Sequence, residues 1–119
     1  MNHLELGKEG EEMAVKLLIG KGHEILERNF RFGKMELDII SLNGDFLVVT
    51  EVKTRNSMAL GAPYLSVGIK KQRNIIRVAD HYIQSNSIDK EVRFDIVSIV
   101  VNKKERVIEH IERAFCPFA

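Results

Sequence analysis

Two apolar, β-prone runs face each other across Asn43-Gly44, and no other feature restricts the fold of this chain as tightly. The first is Met35-Glu36-Leu37-Asp38-Ile39-Ile40-Ser41-Leu42, and the second is Phe46-Leu47-Val48-Val49-Thr50-Glu51-Val52-Lys53. Asn and Gly tolerate the positive φ that tight hairpin turns require, so the runs are expected to pair antiparallel. Side chains alternate between faces along a strand, which puts Glu36 and Asp38 on one face of the first run and Glu51 and Lys53 on one face of the second. With Asn43-Gly44 as the loop, Leu42 pairs with Asp45, Ile40 with Leu47, Asp38 with Val49 and Glu36 with Glu51. All four polar groups then share a face, with Asp38 diagonal to Glu51 at roughly 7–8 Å between backbones. A four-residue loop preserves this parity, whereas a three-residue loop destroys it.

Acids at these places interrupt a surface otherwise built from Ile40, Leu42, Leu47 and Val49, and they need compensation. Two carboxylates ~4 Å apart repel by ~4 kcal/mol at an effective dielectric near 20, a cost that a divalent cation or an ammonium removes. Lys53 supplies a positive charge two residues from Glu51, and hard oxygen donors suit Mg2+ or Mn2+. An acid-x-Lys triplet by itself arises by chance about once in a chain of this length. Its position gives it meaning: Glu51-Val52-Lys53 ends an apolar strand whose hairpin partner carries Asp38.

Residues 4–20 set Gly10, Met13, Ala14, Leu17 and Leu18 at the spacing of an amphipathic helix. At ~100° per residue Glu11 borders that stripe, while Glu5, Glu9 and Glu12 point away from it. Glu11 is therefore either an acid that supports a metal or a boundary glutamate. His23 to Phe32 reads as a short extended segment leading into a turn at Arg31-Phe32-Gly33-Lys34, and Thr54 to Pro63 as a loop. Residues 66–86 return to helical spacing through Ile75, Ile76, Ala79, Tyr82 and Ile83. That stripe continues N-terminally into Lys71 and Gln72, which are either substrate contacts or stems snorkelling at the core edge. Residues 92–101 and 106–115 are two further strands. The order is αβββαββ, an α/β fold with a mixed central sheet flanked by the two helices.

A length of 119 residues suits one domain spanning 1–119. No apolar run approaches the ~20 residues of a membrane span, and the first residues are acidic where a secretory signal is basic. Lone Cys116 excludes an internal disulfide and a cysteine-rich zinc site, so a soluble protein of the reducing cytoplasm is expected. The net charge of +1 hides an asymmetry: Lys53 to Ala79 holds Lys53, Arg55, Lys70, Lys71, Arg73, Arg77 and no acid, which leaves −5 on the rest. Such a cluster is either an edge for a polyanion or a solvated helix face. On the first reading Arg55, Lys70, Lys71, Gln72 and Arg73 contact nucleic acid. Ser41, Ser57 and Ser66 lack a His–acid arrangement in the sequence, and the four histidines are scattered, so no covalent intermediate is expected.

Gly7-Lys8-Glu9-Gly10-Glu11, Glu36-Leu37-Asp38-Ile39-Ile40, Glu51-Val52-Lys53-Thr54-Arg55, Arg93-Phe94-Asp95-Ile96-Val97 and Ala114-Phe115 together resemble the YraN-like family of small bacterial proteins. That family is similar to archaeal Holliday junction resolvases and belongs to the PD-(D/E)XK restriction-endonuclease-like superfamily. The resemblance implies Glu11, Asp38 and Glu51 as acids of a Mg2+ or Mn2+ site, with Lys53 positioning or activating the attacking water. Leu37 stands where the superfamily has its proline. The expected activity is metal-dependent cleavage of DNA, branched or damaged DNA included; a homodimer is compatible with the sequence. Two other classes stand beside it: a nucleic-acid-binding module that keeps the fold without cleaving, and an interaction protein in which the acids and Lys53 form an ion-pair network.

Overall fold

The structure, a computed structural model, describes residues 2–56 and 67–117. Its elements follow the expected order: α1 (His3–Gly20), β1 (Glu24–Phe32), β2 (Met35–Asn43), β3 (Phe46–Arg55), α2 (Ile69–Ser85), β4 (Glu91–Val101) and β5 (Arg106–Phe115). The sheet runs β1-β2-β3-β4-β5, antiparallel at every pair except β3–β4, which is parallel. Parallel neighbours need a crossover longer than a tight turn, and α2 lies within it. This α/β architecture is compatible with a restriction-endonuclease-like fold.

Asn2 caps α1, its Oδ1 accepting from the Glu5 N–H at 2.9 Å. The helix ends at Gly20, and just past its Lys21 cap Gly22 has a φ of 92°, a left-handed conformation that glycine adopts without penalty. On one face of the sheet α1 buries Ala14, Val15 and Leu18 against Ile39, Val97 and Ile99. On the other, α2 buries Ile75, Val78, Ala79 and Tyr82 against Leu47, Val49, Phe94 and Ile96. Each such Leu or Ile side chain stabilises the fold by ~1.5–3 kcal/mol, so both helices are tied firmly to the strands that carry the acids. Gly10 lets α1 approach β3 closely: a Cβ there would overlap Thr54 Oγ1.

The hairpin turn differs from expectation by one residue. Asn43 pairs with Phe46, Leu42 with Leu47 and Ile40 with Val49, so the two-residue loop is Gly44-Asp45 and not Asn43-Gly44. Gly44 has φ 59°, the pattern of a turn with glycine at its first central position. The slip is two residues in pairing, which preserves the parity of the faces. It moves Asp38, however, from opposite Val49 to the level of Glu51.

A second irregularity lies beside it. Arg28 pairs with Ile39, which packs in the α1-side core, and Phe30 pairs with Leu37, which packs in the α2-side core. Residues 37 and 39 would share a face in a regular strand, so β2 turns over at Asp38. Asn29, the residue between Arg28 and Phe30, has φ 54°, which accounts for the matching reversal in β1. Elsewhere the boundaries shift modestly. β3 continues through Arg55 instead of giving way to a loop at Thr54, α2 starts at Ile69 instead of 66, and residues 24–32 form a full edge strand. Most of the expected loop, from Ser57 to Pro63, lies outside the described residues.

Candidate functional site

The β2–β3 ladder ends at the pair Ile39–Thr50, and the next two residues are Asp38 and Glu51. Here the side chains replace the ladder. Asp38 Oδ2 accepts from the Val52 N–H at 2.8 Å, and Glu51 Oε2 accepts from the Asp38 N–H at 3.4 Å. The two carboxylates therefore bridge the point where the strands part, each fixed by the other's strand. Glu51 is 2% exposed. Burial, followed by the nearby Asp38 carboxylate, pushes the Glu51 carboxyl up to about 7, and burial also raises Asp38. Both shifts express first the cost of removing a carboxylate from water, and that of Glu51 also the repulsion of a second carboxylate.

Two lysines meet this pair. Lys53, two residues along β3, has its pKa lowered by burial and by neighbouring Lys71. Lys71, in the first turn of α2, places Nζ 3.6 Å from Glu51 Oε1 and lies near Lys53. Burial works against the Lys71 ammonium, but its polar neighbours, Lys53 and the carboxylates of Glu51 and Asp38, outweigh it and raise its pKa. The sequence marks Lys71 as part of a basic edge and as the polar end of the α2 stripe; its pairing with Glu51 depends on the packing of α2.

Glu11 approaches from α1, as its angular position predicts. Burial and the Asp38 carboxylate raise its pKa against the opposing effect of Asn29 and Arg28, and its Oε1 is buried without a hydrogen-bond partner among the described residues. It lines a cleft of about 400 Å³ with Lys8, Glu12, Arg28 and Asn29. Glu12 turns aside to Arg28 at 2.6 Å, and Glu9 pairs with Arg106 of β5. Glu36 departs from expectation. The turnover of β2 and the shifted register remove it from the place opposite Glu51, and it pairs with Arg31 at 3.2 Å. Of the remaining sequence candidates, Arg55 is half-buried at the end of β3, and Lys70 and Arg73 are exposed on α2. Gln72 Nε2 donates to the Val67 carbonyl at 2.9 Å, securing the start of the helix.

No three His, Cys, Asp or Glu side chains form a ready-made metal cluster among the described residues. Mg2+ does not require one, since it is commonly held through one or two carboxylates together with waters and substrate phosphates. Asp38 and Glu51 supply that set, with the unpartnered Glu11 Oε1 at its border, so the residues fit such an ion.

A second polar cluster was missed by sequence reasoning. Asp95, fully buried on β4, accepts from Arg93 at 3.0 Å, from His110 Nε2 at 2.7 Å and from the Arg113 N–H at 3.1 Å. Burial acts to raise its pKa, but these bonds hold it below the usual carboxylate range. Lys21 Nζ contacts His110 Nδ1 at 2.8 Å, and Ser41 Oγ contacts His23 Nδ1 at 2.8 Å. Ser41 thus does have a histidine partner. It is 0% exposed, so the pair braces the α1 face and offers no nucleophile to a substrate.

A mixed sheet with a helix on each face, and paired acids where two of its strands diverge, is an α/β arrangement compatible with the restriction-endonuclease-like class of folds. The comparisons then give the family. The chain belongs to the family described as "Uncharacterised protein family UPF0102", whose model matches residues 10–99. It is similar to the UPF0102 protein of Christiangramia forsetii, with 46% identity over 98% of each chain. The UPF0102 protein of Phocaeicola vulgatus is 49% identical over 97% of this chain and 95% of its own. That of Dictyoglomus turgidum is 41% identical over 97% and 100% respectively. No helix among the described residues is long and apolar enough to cross a membrane.

Proposed function

We propose that this protein is a metal-dependent endonuclease that hydrolyses DNA phosphodiesters, with branched or damaged DNA as its substrate class. The observation that carries this reading is the Asp38–Glu51 pair, buried at the parting of β2 and β3 with Lys53 beside it. Keeping buried carboxylates ionised costs several kcal/mol each, and a cation-binding role supplies a reason for that cost. Asp38 and Glu51 would hold Mg2+ or Mn2+, with Glu11 supporting it; the ion supplies a water of lowered pKa and a Lewis acid for the phosphate. Lys53, two residues along β3 from Glu51 and with its pKa lowered by burial and by Lys71, would position the attacking water or stabilise charge on the phosphate. Lys70 and Arg73 on the exposed face of α2, and Arg55 at the end of β3, lie on elements that also carry the site and suit contacts to phosphates.

A non-catalytic nucleic-acid-binding module is the second reading, favoured by one observation: Lys71 already balances Glu51 without any metal. Cleavage of a panel of linear, flapped and four-way DNA in Mg2+ and Mn2+, with calorimetric metal titration alongside, separates the two. Asp38→Asn and Glu51→Gln are expected to abolish cleavage and weaken metal binding, Glu11→Gln to reduce both, and Glu12→Gln to change neither. Binding of metal and DNA without turnover selects the binding module. Binding of neither refutes both readings and leaves the acids as a structural network.

A further inference from the structure

We infer that Lys71 is the resident counter-ion of the Asp38–Glu51 pair, displaced by a divalent cation and then taken up by a DNA phosphate, so that metal and DNA bind cooperatively. The inference rests on the nuclease reading of the site and assigns one of its residues a coupling role. Glu51 is almost completely withdrawn from water, and Lys71 Nζ stands 3.6 Å from its Oε1. A divalent ion ligated by Glu51 would meet that ammonium at contact distance, and two cations cannot share the oxygen at low cost. One must leave.

The geometry identifies which lysine is able to leave. Lys53 lies on β3, in continuous register with β4 from Phe46–Glu91 to Arg55–Val100, so its backbone cannot follow a departing head group. Lys71 is 43% exposed and sits in the first turn of α2, where Gln72 bonded to the Val67 carbonyl anchors the backbone. Its four-carbon stem can therefore swing the ammonium outward while the helix stays in place. Outward, exposed Lys70 follows the same turn, so the displaced ammonium joins the basic approach to the site. A non-bridging phosphate oxygen is the partner that such a displaced ammonium is suited to bind. Without phosphate, Lys71 opposes the metal; with phosphate bound, it is drawn off Glu51 and that opposition falls.

The test is calorimetric titration of the full chain with Mn2+ alone, for wild type, Lys71→Met, Lys71→Gln and the charge control Lys16→Met on the exposed side of α1. Removing the competing ammonium is expected to tighten Mn2+ binding roughly tenfold in both Lys71 variants, while Lys16→Met matches wild type. Metal-free thermal unfolding gives a second readout: both Lys71 variants should melt lower than wild type and recover more on adding Mn2+. The cooperative arm uses Ca2+, a hard-oxygen cation of weaker Lewis acidity, with a short DNA duplex. The duplex should raise Ca2+ affinity roughly tenfold in wild type, with the reciprocal gain for DNA, and the gain should vanish in Lys71→Met. Wild-type Mn2+ binding left unchanged or weakened by both Lys71 substitutions overturns the inference and spares the metal site. Failure of every protein to bind a divalent ion overturns the inference and the nuclease reading together.

Discussion

Replacing Glu51 by Gln deletes one buried charge while keeping the side chain's shape, and the structure fixes both the sign and the pH dependence of the effect. Burial and the Asp38 carboxylate raise the Glu51 carboxyl from an ordinary 4.5 to about 7. At ~1.4 kcal/mol per unit, that displacement corresponds to about 3 kcal/mol held against the ionised form. Because the folded-state value lies above the unfolded one, the stability that this proton confers is complete below about 4.5 and is lost as pH rises through about 7. Gln is neutral throughout. In metal-free buffer at pH 8, Glu51→Gln should therefore be more stable than wild type by about 1–3 kcal/mol, the lower end allowing for redistribution of the proton between Glu51 and Asp38. Near pH 5 the two proteins should unfold almost together. Lys71 loses its anionic partner in this variant, but at 43% exposure it reaches water, so that loss is small. Urea unfolding at pH 5, 6, 7 and 8 with a chelator present measures the difference directly. Equal stability differences at all four values, or a variant less stable than wild type at pH 8, would refute the account of the site's electrostatics.

Asp95→Asn should destabilise the fold by about 3–5 kcal/mol at pH 7 in urea unfolding, since it weakens the partner set of buried Arg93 and His110. Wild type should also lose stability as pH falls below ~4, because the folded-state pKa of Asp95 lies below its ordinary value and its contribution exists only above that range. Gly10→Ala should cost about 1–3 kcal/mol through overlap with Thr54 Oγ1, and a double-mutant cycle with Thr54→Ala should recover part of it. Lys70→Glu combined with Arg73→Glu should weaken DNA binding across all sequences and flatten its salt dependence, as read by fluorescence anisotropy between 50 and roughly 200 mM salt.

The hairpin and its acids were readable because a period of two is a strong constraint. Slipping the turn from Asn43-Gly44 to Gly44-Asp45 moves the pairing by two residues and leaves Asp38 and Glu51 able to meet. Glu36 was misplaced for a local reason. Alternation assumes a regular strand, and the positive φ of Asn29 with the turnover at Asp38 breaks it where the site is built. The lean of Glu11 toward the sheet, though not its role, was legible from helical angle, because α1 packs on the sheet through the same stripe that the angle defines. The pairing of Lys71 with Glu51 and the Asp95–His110 cluster were not. Lys71 meets Glu51 only once α2 is packed on the sheet, and Asp95 meets His110 through the β4–β5 pairing, with its shift between Phe94 and Ile96. Periodicity describes one element at a time and carries no information on how two elements cross.

The central claim is that Asp38 and Glu51 together hold a divalent cation, and a crystal grown with Mn2+ tests it most directly. The account predicts an anomalous peak at about 2.0–2.2 Å from a carboxylate oxygen of each residue, with Lys71 Nζ moved away from Glu51 Oε1. A crystal saturated with Mn2+ in which no peak lies between those carboxylates, and Lys71 still sits beside Glu51, would contradict it.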